Sequence, residues 1–594
     1  MKSSKSTPMT YPQRIVEAWY LPQPDTRPIY EWAHDHVRDI PGSPIGGRFD
    51  IRNSPWLKRP FETLTDPLCR HTTLIAPVQT GKTLLAELAV AYRIVNDPGP
   101  CSFTFQSDEM AALEAKTRLM PLLDSIPVVA RLLPRPGPLR TQQEIFFGNQ
   151  FLVLNSANLA HQQSQAIRWK INDELWFPRW AEIYPHALAR VSAFEAQGIS
   201  HILDISQGGT EGDTAWTSFE GGTKEVWHAD CAGCAKPMPL KFRCIRTDGG
   251  RAGVVWDAKA KRDDGTFDVS LAASSVRFVC PHCGHEHPDT DRTRHQWRTT
   301  GRYLTPTGEA PARRRVSFTY DAVVALPMET LAAQFCAAEN VFAKMGDETE
   351  RRNFKQKKEA GFWTIERNVI EIGDRKPSGY TTQTHRDVPL PGEIARVMTC
   401  DKQQAGWWVE IGAWTPEPTY RQLYFGKVET RDMLRELQRI YGVKDYAVGQ
   451  DRGYMPSEVD RDSVAFGWSG IQGAKTKGKR WPMRAHDGSM ILTPISDTLF
   501  ATVGNDQTAP YIEFDGEWAK DVLSASLSGR GFPYLLPDDH NPLWPEQVKS
   551  EEKREVRPGI WHWIEVKQNN NHALDTAAMQ IAVALARGIL RSPA

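Results

Sequence analysis

One short motif constrains the fold of this chain more than any other feature. Residues 76–83 read Ala-Pro-Val-Gln-Thr-Gly-Lys-Thr and follow a β-prone run over 71–75. They lead into a stretch, 82–95, with apolar residues at helical spacing. A loop in this position is typical of phosphate binding, because its N–H groups and the helix N-terminus face the phosphates. The context predicts a nucleotide site, although Ala76 replaces the first glycine of the usual pattern.

Five residues of this loop are candidate ligands for ATP and Mg²⁺. The backbone groups of Gln79, Thr80 and Gly81 are expected to surround the phosphates. Lys82 is expected to neutralise the β- and γ-phosphate oxygens, and Thr83 to ligate Mg²⁺.

A pair of carboxylates follows a later strand, predicted over 169–171. We expect Asp173 to hold Mg²⁺ through water and Glu174 to polarise the attacking water. Adjacent carboxylates after a strand are also able to cap a helix, but the upstream loop favours the catalytic interpretation. The polar turn 206–209 follows another predicted strand, 201–205, and is either a sensor of the γ-phosphate or an ordinary turn.

The order of predicted elements indicates the fold class and the domains. Strands and helices alternate over the first large segment, which predicts an α/β fold with a parallel sheet covered by helices on both faces. At 594 residues the chain is too long for one hydrophobic core. Shifts in composition predict this organisation: an N-terminal segment, 1–45; a P-loop ATPase domain, 46–225; an insertion, 226–300; a connecting segment and linker, 301–385; and a C-terminal domain, 386–594.

Four of the nine cysteines form two C-x-x-C pairs inside the predicted insertion. The pairs are Cys231 with Cys234 and Cys280 with Cys283. Two such pairs supply the four thiolates of a tetrahedral zinc site, which is structural because no position remains open for water. Three nearby histidines are alternative ligands: His282, His285 and His287. The competing interpretation is four reduced, unrelated cysteines.

A second group of carboxylates is spread over the C-terminal segment. Asp401 ends a predicted strand, Asp451 ends another, and Asp575 falls in the first turn of a predicted helix, 572–590. RNase H-like nucleases bring carboxylates from such positions to two divalent metals, since Mg²⁺ or Mn²⁺ requires hard oxygen ligands. Asp575 is alternatively only a favourable charge at a helix N-terminus.

Charge and hydropathy exclude some classes of protein. The 72 basic and 72 acidic residues balance, which argues against a uniformly basic nucleic-acid coat but not against local patches. Basic clusters occur at 313–315, 351–358 and 475–480, and the last predicts a mobile loop that faces DNA phosphates. No apolar stretch is long enough for a membrane span, and the polar N-terminus does not read as a secretory signal, so we expect a cytoplasmic protein.

The order of these motifs resembles the lambda-like class of phage terminase large subunits across nearly the whole chain. Similar motifs are Tyr30-Glu31-Trp32-Ala33, the run 54–60, Gln79-x-Gly81-Lys82-Thr83, the stretch from Arg168 to Asp173-Glu174, the two C-x-x-C pairs, Asp401, Asp451-x-Gly453-Tyr454 and Asn571-x-x-x-Asp575.

The resemblance implies an ASCE-type P-loop ATPase, a zinc-ribbon insertion and a C-terminal RNase H-like endonuclease. Its implied cofactors are ATP, Mg²⁺ (or Mn²⁺ at the nuclease site) and Zn²⁺. Its implied partners are double-stranded viral DNA, a small terminase subunit, the portal protein of the procapsid and further copies of the chain. Such a protein works in the host cytoplasm while docked on the portal, and is not expected in the mature virion.

Two other functions fit part of the sequence. One is a zinc-ribbon DNA-binding adaptor whose ATP site only switches its conformation. The other is a helicase-like protein or an RNase H-fold transposase, although a transposase does not need the phosphate loop. The arginine that acts in trans on ATP has four candidates: Arg48, Arg135, Arg140 and Arg168.

Overall fold

The computed structural model describes residues 24–43, 46–147, 150–163, 165–306, 314–364, 369–372, 377–484, 490–504, 506–557, 560–566 and 570–590. Most of the predicted N-terminal segment, 1–23, and Arg313 of the basic cluster 313–315 lie outside the described residues. The chain divides into two compact units. Unit 1 comprises residues 1–253, 278–326 and 356–362, and unit 2 comprises 254–277, 327–355 and 363–594. None of the described helices has the length and apolar character needed to cross a membrane.

The β-strands of the described residues, in chain order, are β1 His71–Ile75, β2 Cys101–Phe105, β3 Glu144–Phe147, β4 Gln150–Ser156, β5 Trp169–Asp173, β6 His201–Ser206, β7 Glu225–Asp230, β8 Pro237–Pro239, β9 Arg243–Ile245, β10 Arg251–Val255, β11 Arg277–Val279, β12 Glu286–Pro288, β13 Arg302–Leu304, β14 Arg315–Thr319, β15 Ala395–Gln403, β16 Gly406–Trp414, β17 Tyr420–Val428, β18 Val448–Asp451, β19 Ser469–Gly473, β20 Trp481–Arg484, β21 Met490–Thr493, β22 Leu499–Val503, β23 Gln507–Phe514, β24 Tyr534–Leu535, β25 Glu551–Arg557 and β26 Ile560–Glu565.

The α-helices, in chain order, are α1 Ile29–His36, α2 Lys58–Thr65, α3 Lys82–Asn96, α4 Asp108–Glu114, α5 Met120–Ser125, α6 Pro127–Ala130, α7 Trp180–Ala189, α8 Ser192–Glu195, α9 Thr214–Glu220, α10 Val269–Ser274, α11 Asp291–Thr300, α12 Met328–Met345, α13 Thr349–Lys357, α14 Arg431–Ile440, α15 Pro456–Phe466, α16 Gly516–Leu527, α17 Leu543–Val548 and α18 His572–Ala586. Single turns of 3₁₀-helix include Pro55–Leu57 and Ala322–Val324.

Unit 1 is built on a large sheet with the strand order β13-β7-β14-β1-β6-β5-β2-β4-β3, and β8 pairs with β7. The strands from β14 to β4 run parallel, and β3 is antiparallel to β4. Every residue of β1, β2 and β6 is buried, as expected for central parallel strands with both faces covered. The predicted strands and the helix after the loop are all found, so the α/β prediction is confirmed for this part of the chain.

Unit 2 is built on a second sheet with the order β22-β23-β19-β18-β15-β16-β17-β24. β15, β16 and β17 pair antiparallel, whereas β18 lies parallel to β15, and β19 lies parallel to β18. Neighbouring residues of β15 belong to different apolar clusters, since Val397 packs with α18 residues and Met398 packs with residues such as Leu434 of α14. The sheet is therefore covered on both faces.

A buried carboxylate fixes α18 on this sheet. Glu410 of β16 is fully buried and accepts hydrogen bonds from the hydroxyls of Tyr420 (2.7 Å), Tyr534 (2.6 Å) and Thr576 (3.0 Å) and from Trp544 Nε1 (3.0 Å). Buried charge is tolerated only when it is hydrogen-bonded in this way. Because Thr576 lies on α18 next to Asp575, these bonds also fix the first turns of the helix that carries Asp575.

Candidate functional sites

The phosphate-binding loop joins β1 to α3, at the middle of the unit 1 sheet. Gln79 and Gly81 have φ values of 60° and 101°, and a Cβ on Gly81 would lie 2.9 Å from Leu57 Cδ1. Glycine at position 81 is therefore required both by the left-handed backbone and by the close approach of Leu57. The first N–H groups of α3 have no acceptor within the helix and face the loop, which suits a polyphosphate.

Lys82 and Thr83 open α3. Lys82 is only 6% exposed, and its Nζ lies 2.9 Å from Glu174 Oε1. Thr83 is half-buried in the first turn. The lysine and the predicted catalytic carboxylate are thus brought together although they are 92 positions apart in the sequence.

The Asp173-Glu174 pair lies where β5 ends, beside β6. Glu174 has a φ of 53°, and its Oε2 accepts a hydrogen bond from Gln207 N at 3.2 Å. Burial raises the pKa of Asp173 well above its usual range, the neighbouring Glu174 charge adds to this, and Lys82 opposes it. Among the described residues, Asp173 Oδ1 has no hydrogen-bond partner. A buried carboxylate oxygen of this kind fits a hydrated Mg²⁺.

The predicted sensing turn, 206–209, lies directly beside the loop. Ala76 N donates to Ser206 O at 2.9 Å. Gln356, which the sequence analysis did not single out, holds the turn from the other side, since its O accepts from Gly208 N at 3.0 Å and its Nε2 donates to Gly209 O at 2.8 Å. The turn is therefore linked to the loop, to Glu174 and to residue 356.

Two of the four candidate arginines are engaged within unit 1. Arg168 donates to Pro98 O at 2.8 Å and Ile199 O at 3.1 Å. Arg140 pairs with Asp124 at 2.7 Å. Within one chain, both guanidinium groups therefore already have hydrogen-bond or ion-pair partners.

The two C-x-x-C pairs form tight turns of the same shape. Ala235 has a φ of 55° and donates to Cys231 O at 2.9 Å. Gly284 has a φ of 75° and donates to Cys280 O at 3.0 Å. In each turn a left-handed residue lets the chain reverse so that both thiols point to the same side.

The four thiols of Cys231, Cys234, Cys280 and Cys283 converge. Their sulfur atoms all lie within 4.8 Å of one another, and Cys231 Sγ is 3.8 Å from Cys283 Sγ. Tetrahedral zinc with Zn–S bonds of about 2.3 Å places its sulfur atoms about 3.8 Å apart, so the geometry fits zinc. Among the described residues this group contains no histidine. His287 is the nearest alternative ligand, with Nε2 3.5 Å from Cys231 Sγ.

In unit 2, Asp401 and Asp451 lie side by side. Cys400 of β15 is opposite Gln450 of β18 in a parallel pair, so the aspartates that follow them are neighbours. Asp575 comes from the first turn of α18, which packs on β15. The three carboxylates predicted from scattered positions therefore approach one another, although they do not form a set whose ligand atoms all lie within 4.8 Å.

The pKa values of Asp451 and Asp575 reflect their burial and, to a smaller extent, the nearby carboxylates. Burial raises the pKa of Asp451 to about 7, and the charges of Asp401 and Asp575 contribute. Burial also raises the pKa of Asp575 to about 6, with Lys520 opposing the rise and Asp401 adding to it. A divalent cation between such carboxylates would offset the free-energy cost of burying their ionised forms and would also reduce the repulsion between their charges.

Several neighbours of this centre were not predicted. His572 Nδ1 lies 2.7 Å from Asp401 Oδ2, and its ring stacks on Trp408 at 5.4 Å. Lys520 Nζ lies 2.7 Å from Glu551 Oε1 and 3.5 Å from Asp575 Oδ1. The position of His572, one helical turn before Asp575, is the sequence signal that points to it.

Three cations of the basic stretch 475–480 form ion pairs that were not predicted. Lys477 pairs with Glu517 at 2.9 Å, Lys479 pairs with Glu513 at 2.7 Å, and Arg480 pairs with Asp515. These three cations therefore have acidic partners within unit 2, although the side chains of Lys477 and Lys479 stay 43% and 40% exposed.

The unit 1 fold and its loop define a class: a P-loop α/β protein with paired carboxylates at the end of the next strand but one. Residues 43–302 match the family model described as phage terminase large subunit gpA, ATPase domain. These residues are therefore similar to the ATPase domain of phage terminase large subunits. The matched residues include both C-x-x-C pairs.

The solved structures that are similar to the chain include large terminases of several phages. The crystal structure of the bacteriophage HK97 large terminase has 12% identity and a TM-score of 0.33, covering 94% of this chain and 100% of that one. The large terminase of a thermophilic bacteriophage, solved in complex with ADP, has 11% identity and a TM-score of 0.34, covering 89% and 96%. A point mutant of the Thermus phage P74-26 large terminase ATPase domain has 12% identity and a TM-score of 0.24, covering 50% and 90%. No curated protein matches the chain.

Proposed function

We propose that this chain is the large terminase subunit of a tailed phage, in which ATP hydrolysis drives viral double-stranded DNA into the procapsid and a two-metal endonuclease cuts concatemers. The observation that carries the proposal is the placement of Lys82 at the β1–α3 junction, with its Nζ 2.9 Å from Glu174 Oε1 at the end of β5, the next strand but one in the sheet. The family match over residues 43–302 supports the packaging role.

In the ATP site, the backbone of Gln79, Thr80 and Gly81 surrounds the phosphates. Lys82 neutralises their charge, and Thr83 with Asp173 holds Mg²⁺. Mg²⁺ supplies electrostatic stabilisation of the transferring phosphoryl group.

Glu174 orients and polarises the attacking water. Its contact with Lys82 and with Gln207 N fixes its carboxylate before the reaction begins.

In unit 2, Asp401, Asp451 and Asp575 are proposed to ligate Mg²⁺ or Mn²⁺ in an RNase H-like endonuclease. Support comes from the pairing of β15 with β18, from α18 packing on β15 and from the raised pKa values. The metals supply an activated water and stabilise the leaving oxygen of the phosphodiester.

The metal affinity of this carboxylate centre is expected to rise steeply with pH. Metal binds the ionised carboxylates, so protons compete with it below the pKa values of about 6 for Asp575 and about 7 for Asp451. Calorimetric titration with Mn²⁺ is expected to show stronger binding at pH 8 than at pH 5.5, with proton release at the lower pH. Binding independent of pH over this range contradicts the site, and Asp451→Asn serves as the variant that should lose most of the dependence.

The same shifts predict the pH dependence of stability without metal. Both carboxyls have folded-state pKa values above the usual 3.8, so the native state holds protons that the unfolded state has already released. The stability of the metal-free unit therefore falls as pH rises from about 4 to about 7.

The four cysteines are proposed to bind one structural zinc. Metal analysis of purified protein is expected to give one zinc per chain, with loss of the metal in Cys280→Ser, because three thiolates leave the tetrahedral site incomplete. Cys244→Ser is the matched control, since Cys244 lies in the same segment but outside the cluster. Protein purified without zinc, or zinc retained by Cys280→Ser, contradicts the assignment.

The proposed partners are double-stranded viral DNA, a small terminase subunit, the portal protein and further copies of the chain around the portal. The proposed place of action is the host cytoplasm, at the procapsid. The alternative of a zinc-ribbon adaptor with an ATP-switched conformation predicts nucleotide binding without sustained hydrolysis and without DNA cleavage. Measuring ATP turnover with and without duplex DNA, together with plasmid cleavage in Mn²⁺, separates the two.

A further inference from the structure

The phosphate-binding loop is held from outside by two buried aromatic side chains. Trp56 Nε1 donates to Thr80 O at 3.1 Å. The Tyr320 hydroxyl lies 2.9 Å from Thr80 Oγ1 and 3.2 Å from Thr80 O. Trp56 is 3% exposed and Tyr320 is 2% exposed. The conformation of the loop at Thr80 therefore depends on residues far from it in the sequence.

A single helix contacts the elements that carry both aromatics. α11, Asp291–Thr300, packs against the 3₁₀ turn Pro55–Leu57, which contains Trp56, and against the turn Ala322–Val324, which follows Tyr320. The Arg298 guanidinium of this helix lies 6.0 Å from the Trp56 ring. α11 is thus positioned to keep Trp56 and Tyr320 in place.

The same helix is fixed to the cysteine cluster. Trp297 of α11 is buried, with its ring 5.7 Å from that of His287, and His287 Nε2 is 3.5 Å from Cys231 Sγ. At the end of the helix, Thr300 Oγ1 accepts a hydrogen bond from Asp230 N, the residue before Cys231, at 3.2 Å. The first C-x-x-C turn is therefore connected to α11 through Asp230, and the second through His287, four residues after Cys283.

A second connection runs from the cysteine segment to Tyr320. Phe242 N, in the stretch between the two C-x-x-C pairs, donates to Asp321 Oδ2 at 2.8 Å. Asp321 is 4% exposed and directly follows Tyr320. Two independent sets of contacts therefore converge on the aromatics that hold Thr80.

We propose that the metal-loaded cysteine cluster is a brace for the nucleotide site, so that affinity for ADP and ATP depends on the zinc. The metal fixes the four thiolates, which fixes α11 and residue 321, and these keep Trp56 and Tyr320 against Thr80. Without zinc, the loop must become ordered when the nucleotide binds. The entropy cost of this ordering makes the free energy of nucleotide binding less favourable. The inference rests on the proposed nucleotide and zinc sites, and it assigns the zinc to the ATPase rather than to DNA contact.

The test uses the full chain and a fluorescent ADP analogue. We expect removal of zinc by a chelator to weaken analogue binding by about tenfold, the effect of losing one or two ordered hydrogen bonds, and re-addition of Zn²⁺ to restore it. Cys244→Ser is the control and should bind zinc and analogue as the wild type does. Unchanged affinity in the metal-free chain overturns the brace.

A second variant guards against general unfolding after chelation. Trp56→Phe keeps an aromatic ring but removes the N–H, so it should retain one zinc, bind the analogue more weakly, and lose little further affinity when zinc is removed. If the effects of zinc removal and of Trp56→Phe on analogue binding do not add, both changes act through the same contacts. Equal fold-losses on zinc removal from wild type and Trp56→Phe overturn the proposal. A zinc-loaded wild type that binds no nucleotide overturns the nucleotide site as well, which distinguishes the two failures.

Discussion

Replacing Lys82 with alanine is expected to reduce ATP hydrolysis by on the order of 10²–10³-fold, the usual cost of removing one preorganised charge-stabilising group. Lys82 Nζ is nearly buried and lies 2.9 Å from Glu174 Oε1. The substitution removes the cation for the phosphates and leaves the Glu174 carboxylate without its partner, so both parts of the site are impaired. Phosphate release from ATP measures the loss.

Lys224→Ala is the matched control for this prediction. Lys224 belongs to the same unit, but its side chain is 41% exposed and pairs with Glu220 on the surface. We expect the control to hydrolyse ATP at the wild-type rate, because exposed ion pairs contribute little. Hydrolysis undiminished in Lys82→Ala excludes this loop as the ATP site.

The second large effect concerns Asp401. Asp401→Ala is expected to lower Mn²⁺-dependent plasmid cleavage by more than about 100-fold, since loss of a direct ligand exceeds the 10–100-fold typical of outer-shell changes. Asp401 is 6% exposed and lies between Asp451 on the adjoining strand and His572 on α18. A carboxylate in this position is able to share a metal with its neighbours on both elements.

The control for Asp401 is Asp432→Asn. Asp432 lies exposed in the first turn of α14, in the same unit. It should cut plasmid as the wild type does. Cleavage that survives in Asp401→Ala refutes the assignment of this residue to the nuclease centre.

Local patterns were enough to predict the elements that carry the sites. The strand His71–Ile75 and the helix from Lys82 are found where the sequence pattern predicts them. The strands that carry Asp401 and Asp451 are also found, and β15 and β18 pair as neighbours. These features depend on residues within one element or on adjacent parallel strands, whose carboxyl ends meet at one edge.

Contacts between distant residues were not predictable from such patterns. Tyr320 touches Thr80 across 240 positions, and Gln356 reaches Gly209 across 147. The acidic partners of Lys479 and Arg480 were missed for the same reason, because they lie on and beyond β23. A cluster of basic residues in sequence carries no information about which acids the fold brings to it.

We propose that one chain holds two separate catalytic centres, an ATPase in unit 1 and a DNA nuclease in unit 2. The most direct test measures ATP hydrolysis and Mn²⁺-dependent plasmid cleavage side by side on wild type, Lys82→Ala and Asp401→Ala. We expect Lys82→Ala to cut DNA without hydrolysing ATP. We expect Asp401→Ala to hydrolyse ATP without cutting DNA. Loss of both activities in each folded variant, or cleavage that needs Lys82 but not Asp401, would contradict this proposal.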